Sequence, residues 1–173
     1  MKYLPKSKKN KIALAVMSAV IIFAVYFAMP RSGGKVDYGV TFSKDFALYL
    51  GLDWKETYLA LLDDIKIKRL RLPSYWTEVE FEKGIYTFEN LDWQVEEASK
   101  RDVKIIMTLG QKQPRWPECH IPSWAKKLKE RERQDELVKV MTKVVNKYKE
   151  NKNIVGWQIE NEPFLPFGEC PKL

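Results

Sequence analysis

Hydrophobic positions along this chain follow two periods, broken by turns. Residues 12–29 carry no charge, and eighteen helical residues rising about 1.5 Å each just span a hydrocarbon core. After a short glycine-containing linker at 30–35, residues 36–42 predict a first strand. Asp53 and Glu56 signal the start of a helix, with Trp54, Tyr58, Leu61, Leu62 and Ile65 on one face. "IKRLRL" at 67–72 alternates as a second strand, Arg69 and Arg71 on one side, Leu70 and Leu72 on the other. A polar stretch containing Trp76 and a turn at Gly84 lead to a helix at 91–101. "VKIIMTL" at 103–109 predicts a nearly all-apolar third strand. A loop rich in Pro and Trp fills 110–124. The charges of 126–136 form a solvated face or a break ahead of a third helix, which carries Leu137, Val140, Met141, Val144, Val145 and Tyr148 at helical spacing. "IVGWQIENEPF" at 154–164 is the fourth strand.

The order β-α-β-α-β-α-β argues for parallel strands joined by right-handed crossovers. A barrel and a doubly wound sheet both fit. "VTFSKDF" stands where a glycine-rich phosphate loop would follow the first strand, which weakens the nucleotide-binding version. The long loops follow strands, the active-site face of a (β/α) barrel. The fourth strand is unusual. Its opening is apolar enough to suggest burial on both sides, yet period 2 puts Gln158, Glu160 and Glu162 on one face and Trp157 and Ile159 on the other. Buried carboxylates need partners or a task. The plainer reading is a solvated edge strand with a chance Asn-Glu-Pro.

The formal charge of +7 changes this picture little, because five lysines precede residue 12 and leave +2 for the rest. Those lysines place the N-terminus in the cytoplasm and the domain at 36–173 outside. A basic tail at 1–11 followed by a span at 12–29 reads as a signal anchor in preference to a signal peptide, since Tyr26 spoils the small-x-small pattern before Ala28. Later Lys and Arg are interleaved with acids, which argues against nucleic acid as a partner. Six tryptophans suit a large core or a sugar-binding cleft. Cys119 and Cys170 lie in an oxidising compartment by this topology, so either a disulfide or two free thiols fits.

"RLPSYW", "EKGIYTFENLDWQVEEASKRDVKIIMTLG", "QPRWP" and "GWQIENEP", in this order, resemble the first half of a clan A glycoside hydrolase. Family 5 cellulases and family 42 β-galactosidases are the nearest groups, over about residues 36–170. The resemblance implies an α/β fold of the (β/α)8 TIM-barrel type, of which the first four β/α units are present behind the transmembrane helix. It implies a retaining glycosidase acting on β-linked oligo- or polysaccharides, with Glu162 as general acid/base and Asn161 holding the sugar 2-hydroxyl. Arg71 matches the arginine that supports the nucleophile, and Trp76, Gln111 and Trp116 sit where sugar contacts occur. More ordinary roles are an Arg71–Glu160 pair inside the barrel and loop packing for Trp116. Gln158 and Glu160 are expected as interior polar groups held by Arg69 or Arg71.

The family's nucleophile ends strand seven, and no residue here matches it, Glu78, Glu80 and Glu169 included. The sequence is therefore expected to be part of a longer barrel. The alternatives are a short protein that dimerises, and a membrane-tethered sugar-binding half-barrel. Cys119 and Cys170, in loops after neighbouring strands, are expected within disulfide range. His120 has no metal pattern around it and reads as a loop residue. No metal or cofactor is expected, since two carboxylates and water suffice for the reaction.

Overall fold

A computed structural model describes residues 6–28, 38–115, 117–165 and 170. The expected linker, the start of the first strand, Trp116 and Glu169 lie outside them. Two separate compact units are present, residues 1–36 and 37–173. The first contributes one helix, α1 (Lys6–Ala28). Its stretch Asn10–Phe27 has a mean hydropathy of 2.0 with none of it buried, so by length and composition it can cross a membrane.

The second unit is a four-stranded parallel sheet flanked by helices. In chain order it holds β1 (Val40–Thr41), α2 (Lys44–Tyr49), α3 (Trp54–Asp63), β2 (Arg69–Pro73), α4 (Trp76–Val79), α5 (Glu89–Lys100), β3 (Lys104–Leu109), a 3-10 turn (Ala125–Lys127), α6 (Glu130–Tyr148) and β4 (Ile154–Ile159). The spatial order is β1-β2-β3-β4, all parallel. A doubly wound sheet reverses its strand order at a switch point. This one does not, and the singly wound order is consistent with part of a TIM barrel.

One sheet face is covered. Leu70, Leu72, Ile105, Met107 and Leu109 pack with Tyr58, Leu62, Val95, Ala98, Val140 and Val144 of the helices in one buried core. Tyr58 is fully buried, and its hydroxyl donates to the Gln94 carbonyl at 2.7 Å, so α3 docks on α5 without an orphaned polar group. Arg101 grips Asp63 through Nε and Nη2 at 2.6 and 2.7 Å, joining the C-terminal ends of the same two helices. Arg71 and Ile106 fall on the opposite face.

Several boundaries differ from the sequence expectation. The first strand shortens to two residues because Ser43 caps α2 at once, its hydroxyl accepting from the Phe46 N–H at 3.0 Å. Asp53 caps α3 as expected, accepting from the Lys55 and Glu56 N–H groups at 2.8 and 2.9 Å. Ile65 lies beyond the end of α3 and is 65 % exposed, not on its buried face. The fourth strand is not buried on both sides: Val155 and Ile159 are 52 % and 57 % exposed, because among the described residues β4 pairs only with β3.

Candidate active site

The site lies where the strands end. β4 stops at Ile159, and Glu160 takes a left-handed conformation with φ of 57°, as does Glu162 with φ of 51°. This turn breaks the period-2 pattern, so Glu160 does not join Gln158 inside the sheet. Its carboxylate accepts from the backbone N–H groups of Gln111 and Lys112 at 2.9 and 2.6 Å, not from Arg69 or Arg71. Gly110, with φ of 124°, leaves room for it; any side chain there would overlap the Glu160 carboxylate. Burial pushes the Glu160 carboxyl up, while the two N–H donors and the Lys112 ammonium oppose that shift.

The chain beyond Glu160 is fastened to the loop after β3. The Glu160 N–H donates to Leu109 O at 2.7 Å and the Asn161 N–H to Lys112 O at 2.8 Å. Lys112 Nζ donates to the carbonyls of Glu162 and Leu165 at 3.3 and 3.2 Å and lies 3.7 Å from a Glu118 carboxylate oxygen. On the sheet, Arg71 donates from Nε to Thr41 Oγ1 at 2.9 Å and from Nη1 to Gln158 Oε1 at 3.3 Å. Gln158 in turn donates to Glu160 O at 3.0 Å. An open cleft of about 830 Å³ results, with Thr41, Arg71, Arg115, Glu118, Asn161 and Glu162 among its lining.

The cleft thus brings together three of the residues singled out in the sequence, Arg71, Asn161 and Glu162. Trp76 does not reach it. Its ring is 1 % exposed, edge-on to Trp124 at 5.7 Å, with Nε1 donating to buried Glu80 at 2.9 Å. Gln111 is 3 % exposed and contributes backbone bonds. His120 lies in a loop as expected, and there it is buried and stacked on Tyr75 with centroids 4.0 Å apart, with Nδ1 3.6 Å from Asp45. Glu78 pairs with Lys44 at 2.5 Å, and burial raises its carboxyl. Cys119 and Cys170 form a disulfide with Cα atoms 4.9 Å apart. Sequence reasoning missed Lys112 and Glu118, because a charged loop residue ordinarily signals only solvent.

A singly wound parallel sheet with a carboxylate-bearing cleft at its strand ends makes this an α/β fold consistent with part of a TIM barrel. The chain matches the model of the cellulase family, glycosyl hydrolase family 5, over residues 40–166, and it belongs to that family. Among solved structures it is similar to a family 39 glycoside hydrolase from the gut symbiont Bacteroides cellulosilyticus, at 22 % identity and a TM-score of 0.47, over 73 % of this chain and 24 % of that one. It is also similar to GH5_18 from Bifidobacterium longum subsp. longum, at 12 % identity and a TM-score of 0.55, over 73 % of this chain and 34 % of that one. The chain therefore spans about a quarter to a third of these two structures. No curated protein sequence matches it.

Proposed function

We propose that the chain carries the acid/base half of a retaining β-glycosidase of (β/α)8 type, held at a membrane by α1 with its domain outside the cytoplasm. The observation that carries this reading is the Asn161-Glu162 pair, set at the mouth of the cleft by the turn that ends β4. In the mechanism, the Glu162 carboxyl protonates the glycosidic oxygen as the bond to the anomeric carbon breaks. It then takes the proton from the water that releases the sugar. A second carboxylate about 5 to 5.5 Å away attacks the anomeric carbon in the first step. In this reading Asn161 holds the sugar 2-hydroxyl. Arg71 suits the supporting role for that second carboxylate: its described hydrogen bonds go to two neutral acceptors, Thr41 and Gln158, so its fork can take an anion as well. The substrate is a β-linked oligo- or polysaccharide.

The test is hydrolysis of aryl β-glycosides by the full gene product beside Glu162→Gln. Loss of general acid catalysis should cost about 10²- to 10⁴-fold in kcat/KM on poorly activated substrates. Equal rates in the two proteins overturn the role of Glu162. Saturable oligosaccharide binding without turnover would replace the glycosidase reading with a carbohydrate-binding one.

A further inference from the structure

We propose that Lys112 and Glu160 are positioning residues that set where the Glu162 carboxyl stands; the inference rests on the acid/base reading of Glu162. Two non-glycine residues in the left-handed region, Glu160 and Glu162, flank Asn161. That conformation is disfavoured for any residue that carries a Cβ. Such a turn persists only if its surroundings hold it. Here the hold comes mainly from residues 110–112, on the neighbouring strand's loop.

The hold has two parts, both charged and both buried, with Lys112 and Glu160 each 5 % exposed. The Glu160 carboxylate bridges two successive N–H groups of the loop. Lys112 reaches the other way, its ammonium bonding the carbonyl of Glu162 itself and that of Leu165. The Asn161 N–H to Lys112 O bond ties the middle of the turn to the same residue. Asn161 and Glu162 line the cleft, whereas Lys112 and Glu160 do not. The pair therefore acts on substrate only through the residues it orients.

This arrangement has a kinetic signature. A displaced acid matters when the leaving group needs a proton and matters little when it leaves unaided. A shift of about 1 Å in a catalytic group can cost about 10²-fold. The experiment measures kcat/KM of the full gene product on aryl β-glycosides with leaving groups from phenol to 2,4-dinitrophenol, for the parent, Lys112→Met, Glu160→Gln and Glu162→Gln. Lys112→Met and Glu160→Gln should lose about 10- to 100-fold on the phenyl glycoside and keep most of their rate on the dinitrophenyl glycoside. Glu162→Gln should show the same pattern more steeply.

An equal loss on every substrate, or no loss, in Lys112→Met and Glu160→Gln while Glu162→Gln shows the steep pattern, overturns the positioning role alone. Absence of the pattern in Glu162→Gln overturns the reading beneath it. Amide hydrogen exchange over residues 160–165 then decides the clamp independently of turnover. Exchange faster in both variants than in the parent is expected, and unchanged exchange overturns it. Should Lys112→Met fail to fold, the isosteric Glu160→Gln carries both measurements.

Discussion

Gly110→Ala gives the sharpest test of the geometry beneath the site, because its cost comes from two separable sources. The backbone at Gly110, with φ of 124°, lies in a region that residues with a Cβ avoid, at about 1–3 kcal/mol. The added methyl group also occupies the space of the Glu160 carboxylate, which must swing away from the N–H groups of Gln111 and Lys112. Hydrogen bonds to a charged group contribute about 1.5–3 kcal/mol each. Losing one and weakening the other adds about 2–4 kcal/mol and brings the total to about 3–7 kcal/mol. In a Glu160→Ala background the overlap is gone and only the backbone cost of about 1–3 kcal/mol remains. Guanidinium denaturation of the four proteins in this double-mutant cycle should therefore give a coupling of about 2–4 kcal/mol. That is well above the additivity error of about 0.5 kcal/mol for independent sites. If Gly110→Ala costs the same with and without the Glu160 carboxylate, the carboxylate does not lie over Gly110 and the account of the turn is wrong.

Two further predictions follow from buried groups near the rim. Burial pushes His120 from 6.5 down to about 4, opposed by its backbone contact with Pro117 and by the Glu78 carboxylate. Its folded proton affinity is below the unfolded one, so its contribution is complete above pH 6.5 and is lost as the pH falls towards about 4, by about 3 kcal/mol in all. His120→Phe keeps a ring against Tyr75 and should flatten the stability profile across that window; parallel profiles would count against a buried neutral imidazole. The Cys119–Cys170 bond closes a loop with a sequence separation of 51, which the chain-entropy relation converts to about 4 kcal/mol. Reductant should lower the urea midpoint of the parent and leave that of the Cys119→Ser/Cys170→Ser double variant untouched, whereas equal midpoints for oxidised and reduced parent would refute the estimate.

Long periodic elements were legible in the sequence because their burial repeats. Leu137, Val140, Val144 and Tyr148 share the buried face of α6, and Ile105, Met107 and Leu109 alternate along the core-facing side of β3. The short elements were not legible. α2 and α4, of six and four residues, offer too few positions for any period to emerge. The resemblance puts Trp76 at a sugar contact, and the structure instead buries it, with Glu80, one helical turn on, accepting its indole N–H. Of the site, Arg71, Asn161 and Glu162 were legible through the resemblance of the motifs around them, and the three line one cleft. Lys112 was not, since nothing in the local sequence distinguishes a lysine that bonds carbonyls from one that meets water.

The acids at the end of β4 show why alternation alone misleads at a strand terminus. Period 2 assigns Gln158, Glu160 and Glu162 to one face, and only the first of these is on the regular strand. At Glu160 the chain turns left-handed, so its carboxylate is directed back at the backbone of the adjacent loop instead of into the cleft. A carboxylate used this way serves as an anchor, with its charge committed to two N–H donors beside a buried ammonium. Glu162, two residues later and again left-handed, is exposed at the cleft with its backbone carbonyl held, and among the described residues its carboxyl makes no such bond to the loop backbone. The two neighbouring acids have different surroundings because the turn separates them. Without the positive φ at Glu160, its carboxylate would no longer face the N–H groups of Gln111 and Lys112. The anchor would then be lost.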